Sequence, residues 1–381
     1  KVYCYSGTAT ITGNGTAPNP IWTKIGDVTA GYNEALGASI ASGDFNNDGY
    51  SDIALGCPHY SVTGQSLVGR TVIYYGSSSG VSTINTSIVG NASSGQQLFG
   101  SAVCNAGDIN DDGIHDLLVS SPYFDLPGKA NTGKVECFLG STSGLPSSAS
   151  SNITGNLANE RIGFLHGTIN SLGDINGDGY GDILLGSSLQ ISNSTISYPE
   201  TFRVITGSNS GSLNSGTSYS IKSYNTINSS TFGSHFPRVV ASIGDLDGDG
   251  YSDVVIGHSC LDDGQLQEGG VLVYYSNVDP SKANSTILYQ SSAQTSFLTN
   301  SIGDINSDGF DDIVVYDEGN NELDFFHGKE GGLNSSVANY TISTSNEIVI
   351  GNFPYGDING DGYSDICLID KTNDQLRVVY G

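Results

Sequence analysis

Short runs of aliphatic and β-branched residues recur along the chain, each bounded by Gly, Ser, Asn or Asp. They are Ile53-Ala54-Leu55-Gly56, Leu117-Leu118-Val119, Ile183-Leu184-Leu185-Gly186, Val254-Val255-Ile256-Gly257, Ile313-Val314-Val315 and Ile366-Cys367-Leu368-Ile369. Runs of this length and content predict buried strands. Each holds the same place in a longer unit. A stretch with small residues precedes it, as at 36–43, and a Gly/Ser-rich loop follows. A third strand comes next, at 70–76, 134–140, 202–207, 270–275, 322–328 and 375–381. A weaker, more polar fourth run closes the unit, as at 86–90. No useful stretch of helical periodicity separates these runs.

The pattern predicts an all-β chain of four-stranded antiparallel units. One such sheet cannot cover both of its faces, and radial stacking of several would do so. The expected fold is therefore a β-propeller, with a regular antiparallel sandwich as the weaker alternative. Six units carry a second strand, yet a seventh third-type strand stands at 2–7 and a fourth-type run at 21–26. Seven blades is the first reading, with a segment clipped or supplied by another chain. In the six-blade alternative, 21–26 completes the last blade and 1–7 is left over. Either way residues 1–381 are read as one domain, incomplete at its termini on the seven-blade reading. The chain starts at Lys1 and has no Met, which reads as processing or trimming.

Directly before each second strand stands Asp-x-Asn/Asp-x-Asp-Gly-x-x-Asp, at 44–52, 108–116, 174–182, 245–253, 304–312 and 357–365. Oxygen side chains at positions 1, 3, 5 and 9 of a short turn converge only around a cation. The carbonyl at position 7 adds another oxygen, and Gly at position 6 permits the turn. The predicted ligands are Asp44, Asn46, Asp48, Tyr50 and Asp52; Asp108, Asn110, Asp112, Ile114 and Asp116; Asp174, Asn176, Asp178, Tyr180 and Asp182; Asp245, Asp247, Asp249, Tyr251 and Asp253; Asp304, Asn306, Asp308, Phe310 and Asp312; and Asp357, Asn359, Asp361, Tyr363 and Asp365. Position 7 offers only its backbone oxygen, with its side chain expected to pack under the loop. An all-oxygen set favours calcium over zinc, and magnesium would keep more water. The expectation is about six Ca2+ ions. An ordinary Asp/Asn/Gly turn explains one copy, but not six copies before six aliphatic strands.

Charge agrees. The chain has 39 Asp+Glu against 13 Lys+Arg, a net charge of −26. The named loop positions hold 19 of those acids, and six divalent ions would bring the charge to −14. Such a charge argues against nucleic acid and anionic lipid as partners. No apolar stretch is long enough for a transmembrane helix. Six cysteines, at 4, 57, 104, 137, 260 and 367, contain no CxxC pair, so a thiolate zinc site is not expected. They permit three disulfides in several pairings or, alternatively, buried free thiols. N-glycosylation sequons occur at Asn14, Asn85, Asn91, Asn152, Asn193, Asn228, Asn284, Asn334 and Asn339. Their number is near chance for this composition. Their placement outside every acidic loop favours an extracellular or secretory-pathway address.

The repeats resemble the FG-GAP family, which includes integrin alpha subunits. The first motif element stands at Phe99-Gly100, Ile162-Gly163, Phe232-Gly233 and, loosely, Leu36-Gly37. The second stands at Gly56-Cys57-Pro58 and weakens to Ser120-Ser121-Pro122, Gly186-Ser187 and Gly257-His258. The resemblance implies a seven-blade propeller with calcium in some blades, but no particular ligand. No catalysis is expected. The histidines form no HExxH, there is no Gly-x-Ser-x-Gly elbow, and the spare acids Glu34, Glu160, Glu268 and Glu347 form no evident pair. The first functional reading is an extracellular recognition or adhesion domain for a glycoprotein, carbohydrate or matrix partner. The alternative is a structural subunit of an extracellular coat or filament, assembled through terminal strands.

Overall fold

A computed structural model describes residues 1–4, 20–29, 32–83, 85–91, 95–164, 168–187, 201–213, 218–222, 239–242, 244–258, 270–275, 284–287, 297–317, 320–333, 337–343, 348–349, 355–356, 363–370 and 375–379. The elements seen there are all strands and turns. β1 (Val2–Cys4) and β2 (Trp22–Lys24) form one antiparallel ribbon, and β3 (Val28–Thr29) and β4 (Tyr32–Asn33) another. The first four-stranded sheet runs β5 (Ser39–Gly43), β6 (Asp52–Cys57), β7 (Arg70–Tyr74), β8 (Asn85–Val89). The second runs β9 (Val103–Gly107), β10 (Asp116–Ser121), β11 (Lys134–Phe138), β12 (Ser151–Thr154). The third runs β13 (Ile169–Gly173), β14 (Asp182–Leu185), β15 (Thr201–Ile205), β16 (Ser218–Lys222).

The fourth sheet runs β17 (Val239–Ser242), β18 (Val254–His258), β19 (Gly270–Tyr275), β20 (Asn284–Ile287). The fifth runs β21 (Phe297–Gly303), β22 (Asp312–Asp317), β23 (Glu322–Phe326), β24 (Tyr340–Ser343). In the sixth, β25 (Ile348–Val349) and β26 (Tyr355–Gly356) both pair one side of β27 (Asp365–Asp370), and β28 (Gln375–Val379) pairs the other. The chain divides into two compact units. One comprises residues 1–4, 20–174 and 178–222, and the other 5–19, 175–177 and 223–381.

Burial follows the strand pattern. β10 and β22 are buried at every residue, as their unbroken apolar runs require. β5 alternates buried and exposed, and the fourth strands β8, β12 and β24 are exposed or half-buried apart from Ile88. In the first unit, Phe45, Ile73 and Ile88 pack with Phe99, Leu117 and Phe138, where the Phe99 and Phe138 rings meet edge-to-face at 6.2 Å. Leu118 and Val135 pack in turn with Ile169, Ile183 and Ile205. In the second unit, Val255 and Val273 pack with Ile313, Val315 and Phe326. Each fully buried side chain of this size contributes about 1.5–3 kcal/mol. The Phe-Gly element has a backbone role. Gly37, Gly100 and Gly163 donate to the carbonyls of Gly56, Ser120 and Gly186 at 2.9, 2.9 and 3.2 Å. All three have positive φ, which glycine adopts at little cost.

The propeller expectation is corrected in both its seven-blade and six-blade forms. The sheets are four-stranded, or built on three strand positions in the last, and antiparallel as expected. They are not closed into a barrel or a curled ring, but stand as separately hydrogen-bonded open sheets. Residues 21–26 do not complete the last sheet. Trp22 pairs with Cys4, and its ring meets Tyr74 edge-on at 5.0 Å. With Val2, it covers the apolar cluster of Leu36, Leu55, Val72 and Tyr74 in the first unit. A third-type strand beside a fourth-type strand forms a self-sufficient ribbon, and its apolar face finds cover on the first sheet.

Cys4, Cys57, Cys104 and Cys137 are in no disulfide, and Cys57 and Cys137 are fully buried. Cys260 lies outside the described residues.

Candidate metal centres

The acidic turns join first strands to second strands and are organised by their own carboxylates. In the first, Asp44 accepts the N–H of Asp48 at 3.1 Å and of Gly49 at 2.9 Å. Asp48 accepts the N–H of Tyr50 at 3.0 Å, and the Asn46 amide donates to Asp48 at 3.0 Å. The second and fifth turns repeat this around Asp108, Asn110 and Asp112 and around Asp304, Asn306 and Asp308. Matching bonds tie Asp174 and Asp178 to Gly179 and Tyr180, and Asp245 and Asp249 to Gly250 and Tyr251. Position 4 is left-handed as well, with φ of 55° at Asn47, 58° at Asp111 and 55° at Ser307. Glycine stands at position 4 in three other copies, at Gly177, Gly248 and Gly360, and that was the sign of it in the sequence.

The position-9 carboxylates are the most buried. Asp52, Asp116, Asp182, Asp253, Asp312 and Asp365 are all 1% exposed or less. Asp116 accepts from Ile109 N–H at 3.0 Å and from Gly140 N–H at 2.8 Å. Asp52 does the same with Phe45 and Gly76, and Asp312 with Ile305 and Gly328. Each of these carboxylates thus ties its own loop to the glycine that ends the third strand. Sequence reasoning treated Gly76, Gly140, Gly207 and Gly328 only as strand ends. Glycine closes the third run in five of the six units, Ser276 standing there in the fourth, and that recurrence was the available signal.

Burial raises the carboxyls of Asp52 and Asp312 above the usual range and pushes Asp116 up to about 7, with Asp112 and Asp108 adding repulsion at Asp116. His327 Nδ1, 3.3 Å from Asp312, opposes that rise.

The donor set fits a hard divalent cation. Asn110 Oδ1 is buried and has no hydrogen-bond partner, while its amide nitrogen bonds Asp112. An oxygen in that condition, beside the Asp112 carboxylate, has its acceptor capacity unused and is of the type a hard cation takes. In the fourth loop, carboxylate oxygens of Asp245, Asp247 and Asp253 lie within 4.8 Å of one another. Of the sixth loop, Tyr363 and Asp365 are described, whereas Asp357, Asn359 and Asp361 lie outside the described residues. The position-7 side chains do not behave alike. Ile114 is buried, but Tyr50 and Tyr363 are 43% and 38% exposed.

Two spare acids acquire partners. Glu34 bonds Arg70 at 2.6 Å, and Glu160 bonds Arg203 at 2.5 Å. Glu268 and Glu347 lie outside the described residues. Among the described residues, no helix is long and apolar enough to cross a membrane.

The FG-GAP repeat family matches residues 36–69 and 99–135, and the FG-GAP-like repeat family matches residues 304–368. Over 180 residues the chain is 33% identical to Integrin alpha pat-2 of Caenorhabditis elegans, covering 42% of this chain and 14% of that protein. It is 35% identical over 160 residues to Phosphatidylinositol-glycan-specific phospholipase D of Bos taurus, covering 40% and 18%. It is 28% identical over 248 residues to Integrin alpha-PS2 of Drosophila melanogaster, covering 63% and 16%. The matched region therefore spans less than a fifth of each relative's length. With the motif geometry above, these matches identify FG-GAP repeats at 36–69 and 99–135 and an FG-GAP-like repeat at 304–368, and they support an integrin-alpha-like assignment for those repeats.

Proposed function

We propose that the chain is a calcium-stabilised, non-catalytic recognition or adhesion module that works outside the cell, on a protein or glycan partner. The observation that carries the calcium half is the buried position-9 carboxylate, held by backbone N–H groups inside a turn with two or three further acids. Left without a cation, each turn concentrates repulsion in a poorly solvated place. Calcium at about six such turns would supply the missing positive charge. The hard oxygen donors and the unpartnered Asn110 oxygen support this ion over a softer one. Integrin-like repeats support the recognition half.

The extracellular address draws on sequon placement. Asn85 and Asn284 begin β8 and β20, Asn152 lies in β12, and Asn339 directly precedes β24. These are fourth, edge strands, which make up less than a tenth of the chain. Asn85, Asn91, Asn152 and Asn339 are exposed. Asn14, Asn193, Asn228 and Asn334 lie outside the described residues. Glycans at the edge strands would also discourage edge-to-edge pairing. Without them, the same open edges favour the second reading, a subunit of an extracellular coat or filament.

Thermal melting in calcium and in excess chelator tests the first claim, because a ligand bound only by the folded form raises its stability. A melting temperature indifferent to chelator would refute it. Intact mass before and after glycosidase treatment tests the address, and sedimentation of the deglycosylated protein tests assembly.

A further inference from the structure

Consecutive acidic turns are joined backbone to backbone. In the first unit, His115 N–H donates to the Asp44 carbonyl at 3.3 Å, and Gly181 N–H to the Asp108 carbonyl at 2.8 Å. In the second unit, Asp311 N–H donates to the Asp245 carbonyl at 3.1 Å, and Ser364 N–H to the Asp304 carbonyl at 3.4 Å. The donor is position 8 of one turn and the acceptor position 1 of the turn before it. Further bonds run parallel, from Ser141 to Phe45, Ser208 to Ile109 and Lys329 to Leu246, at 3.2, 3.1 and 3.0 Å.

The N–H of position 8 and the C=O of position 7 belong to one planar peptide group. That carbonyl is one of the oxygens assigned to the cation. A cation at the C=O polarises the group and strengthens its N–H as a donor. The acceptor is the carbonyl of the Asp that opens the preceding ligand set. Ordering one turn therefore orders part of its neighbour.

The link between the fourth and fifth turns is double. Asp311 Oδ2 accepts the N–H of Asp245 at 3.0 Å, while Asp311 N–H holds the Asp245 carbonyl. The Phe310 ring also lies against Gly248, so close that a Cβ there would stand 2.4 Å from it.

We propose that cation binding is positively cooperative between consecutive turns within each compact unit, transmitted through the peptide group that joins positions 7 and 8. This rests on the calcium reading above. Charge alone argues for the opposite sign, since an ion in one turn lowers the negative potential felt at the next. Salt screens that effect over about 8 Å at physiological ionic strength, whereas a direct hydrogen bond is not screened. The sign of the cooperativity therefore separates the two effects.

Calcium titration of the metal-free full chain, followed by amide-exchange mass spectrometry, reads each turn separately. D308A removes a ligand from the fifth turn. The midpoint of protection in the fourth turn is then expected to rise roughly fivefold in calcium concentration, the lower end of common inter-site couplings. The second turn, in the other unit, serves as the unchanged control. D311P keeps every ligand side chain but removes the N–H that holds the Asp245 carbonyl, and is expected to uncouple the fourth and fifth curves, which covers the case that D308A folds poorly. A fourth-turn midpoint that stays or falls in D308A, or curves unchanged in D311P, overturns the inference and leaves the calcium reading intact. If no turn gains protection with calcium, the calcium reading itself fails.

Discussion

The phenol oxygen of Tyr75 accepts the backbone N–H of Leu145 at 3.0 Å, although the two residues are 70 apart in sequence. Tyr275 repeats the contact with Leu333 at 2.8 Å in the second unit. Glycine precedes each leucine because the ring leaves no space. A Cβ at Gly144 would meet the Tyr75 oxygen at 2.2 Å, and one at Gly332 would meet the Tyr275 ring at 2.5 Å. Third-type tyrosines thus clasp the loop that follows the third strand of the next sheet. Tyr75→Phe keeps the ring and orphans the Leu145 N–H, at an expected cost of about 1–3 kcal/mol. Urea denaturation measures it, and a wild-type midpoint would show that water replaces the phenol.

Position 9 of each acidic turn has a structural duty besides any cation. Asp116 receives two backbone N–H groups, one on each oxygen. Asn offers only one acceptor oxygen and leaves one N–H unpaired, but it also removes a charge that burial opposes, so Asp116→Asn is expected to lose less in chelator than the about 1–3 kcal/mol of an orphaned donor alone. Asp112→Asn removes charge from an exposed position and is expected to cost little in chelator but to erase much of the stabilisation by calcium. Denaturation of both variants with and without calcium checks this. Equal losses in chelator would mean that position 9 has no separate role.

The order of strands within each sheet was legible because apolar content differs among them. The buried run at 53–56 became β6, and the polar run at 86–90 became the exposed β8. The acidic turns were legible from spacing alone. Closure was not, because the 2–4 and 22–24 pair carries no mark of the sheet it will cover. Its choice depends on Trp22 meeting Tyr74, a contact that no local pattern encodes. The Glu34–Arg70 and Glu160–Arg203 pairs were hidden for the same reason. Each joins residues 36 or 43 apart, and neither arginine carries a motif. The left-handed Asn47, Asp111 and Ser307 hold the position that Gly177 and Gly248 fill with the same handedness, and three different side chains disguise one backbone need that the glycines disclose.

The buried thiols give a test of the core. Burial, helped by the nearby Glu34 charge, pushes Cys57 up to about 12, and burial pushes Cys104 up to about 11. Both stay protonated at pH 8, and thiols react as thiolates. Iodoacetamide at that pH is expected to label them only after urea is added, as read by peptide mass mapping. Rapid native labelling would contradict the packing. The linkage has a definite sign. The folded state holds these protons more tightly than the unfolded chain does, so their contribution falls as pH rises from about 9 towards 12. At pH 7 both states are protonated and the contribution is nil.

Arg70 and Glu34 supply the sharpest stability test. Glu34 is 1% exposed, and its Oε1 accepts the Asp27 N–H at 2.6 Å. Its other oxygen meets Arg70 Nη2 at 2.6 Å, and the same nitrogen reaches Asp27 at 3.0 Å. The guanidinium also lies 4.3 Å from the centre of the Tyr60 ring. The two residues are therefore unequal. Losing Glu34 leaves Arg70 with Asp27 and Tyr60, whereas losing Arg70 leaves a buried carboxylate without its cation. Arg70→Met is expected to cost about 3–5 kcal/mol, the range for breaking a buried pair from one side. Glu34→Gln is expected to cost less. The double variant should be more stable than Arg70→Met alone, because removing the stranded charge returns part of the loss. Urea denaturation of the four proteins in the cycle gives the answer. Additive losses would show that Arg70 acts through its packing on Tyr60 and not through Glu34.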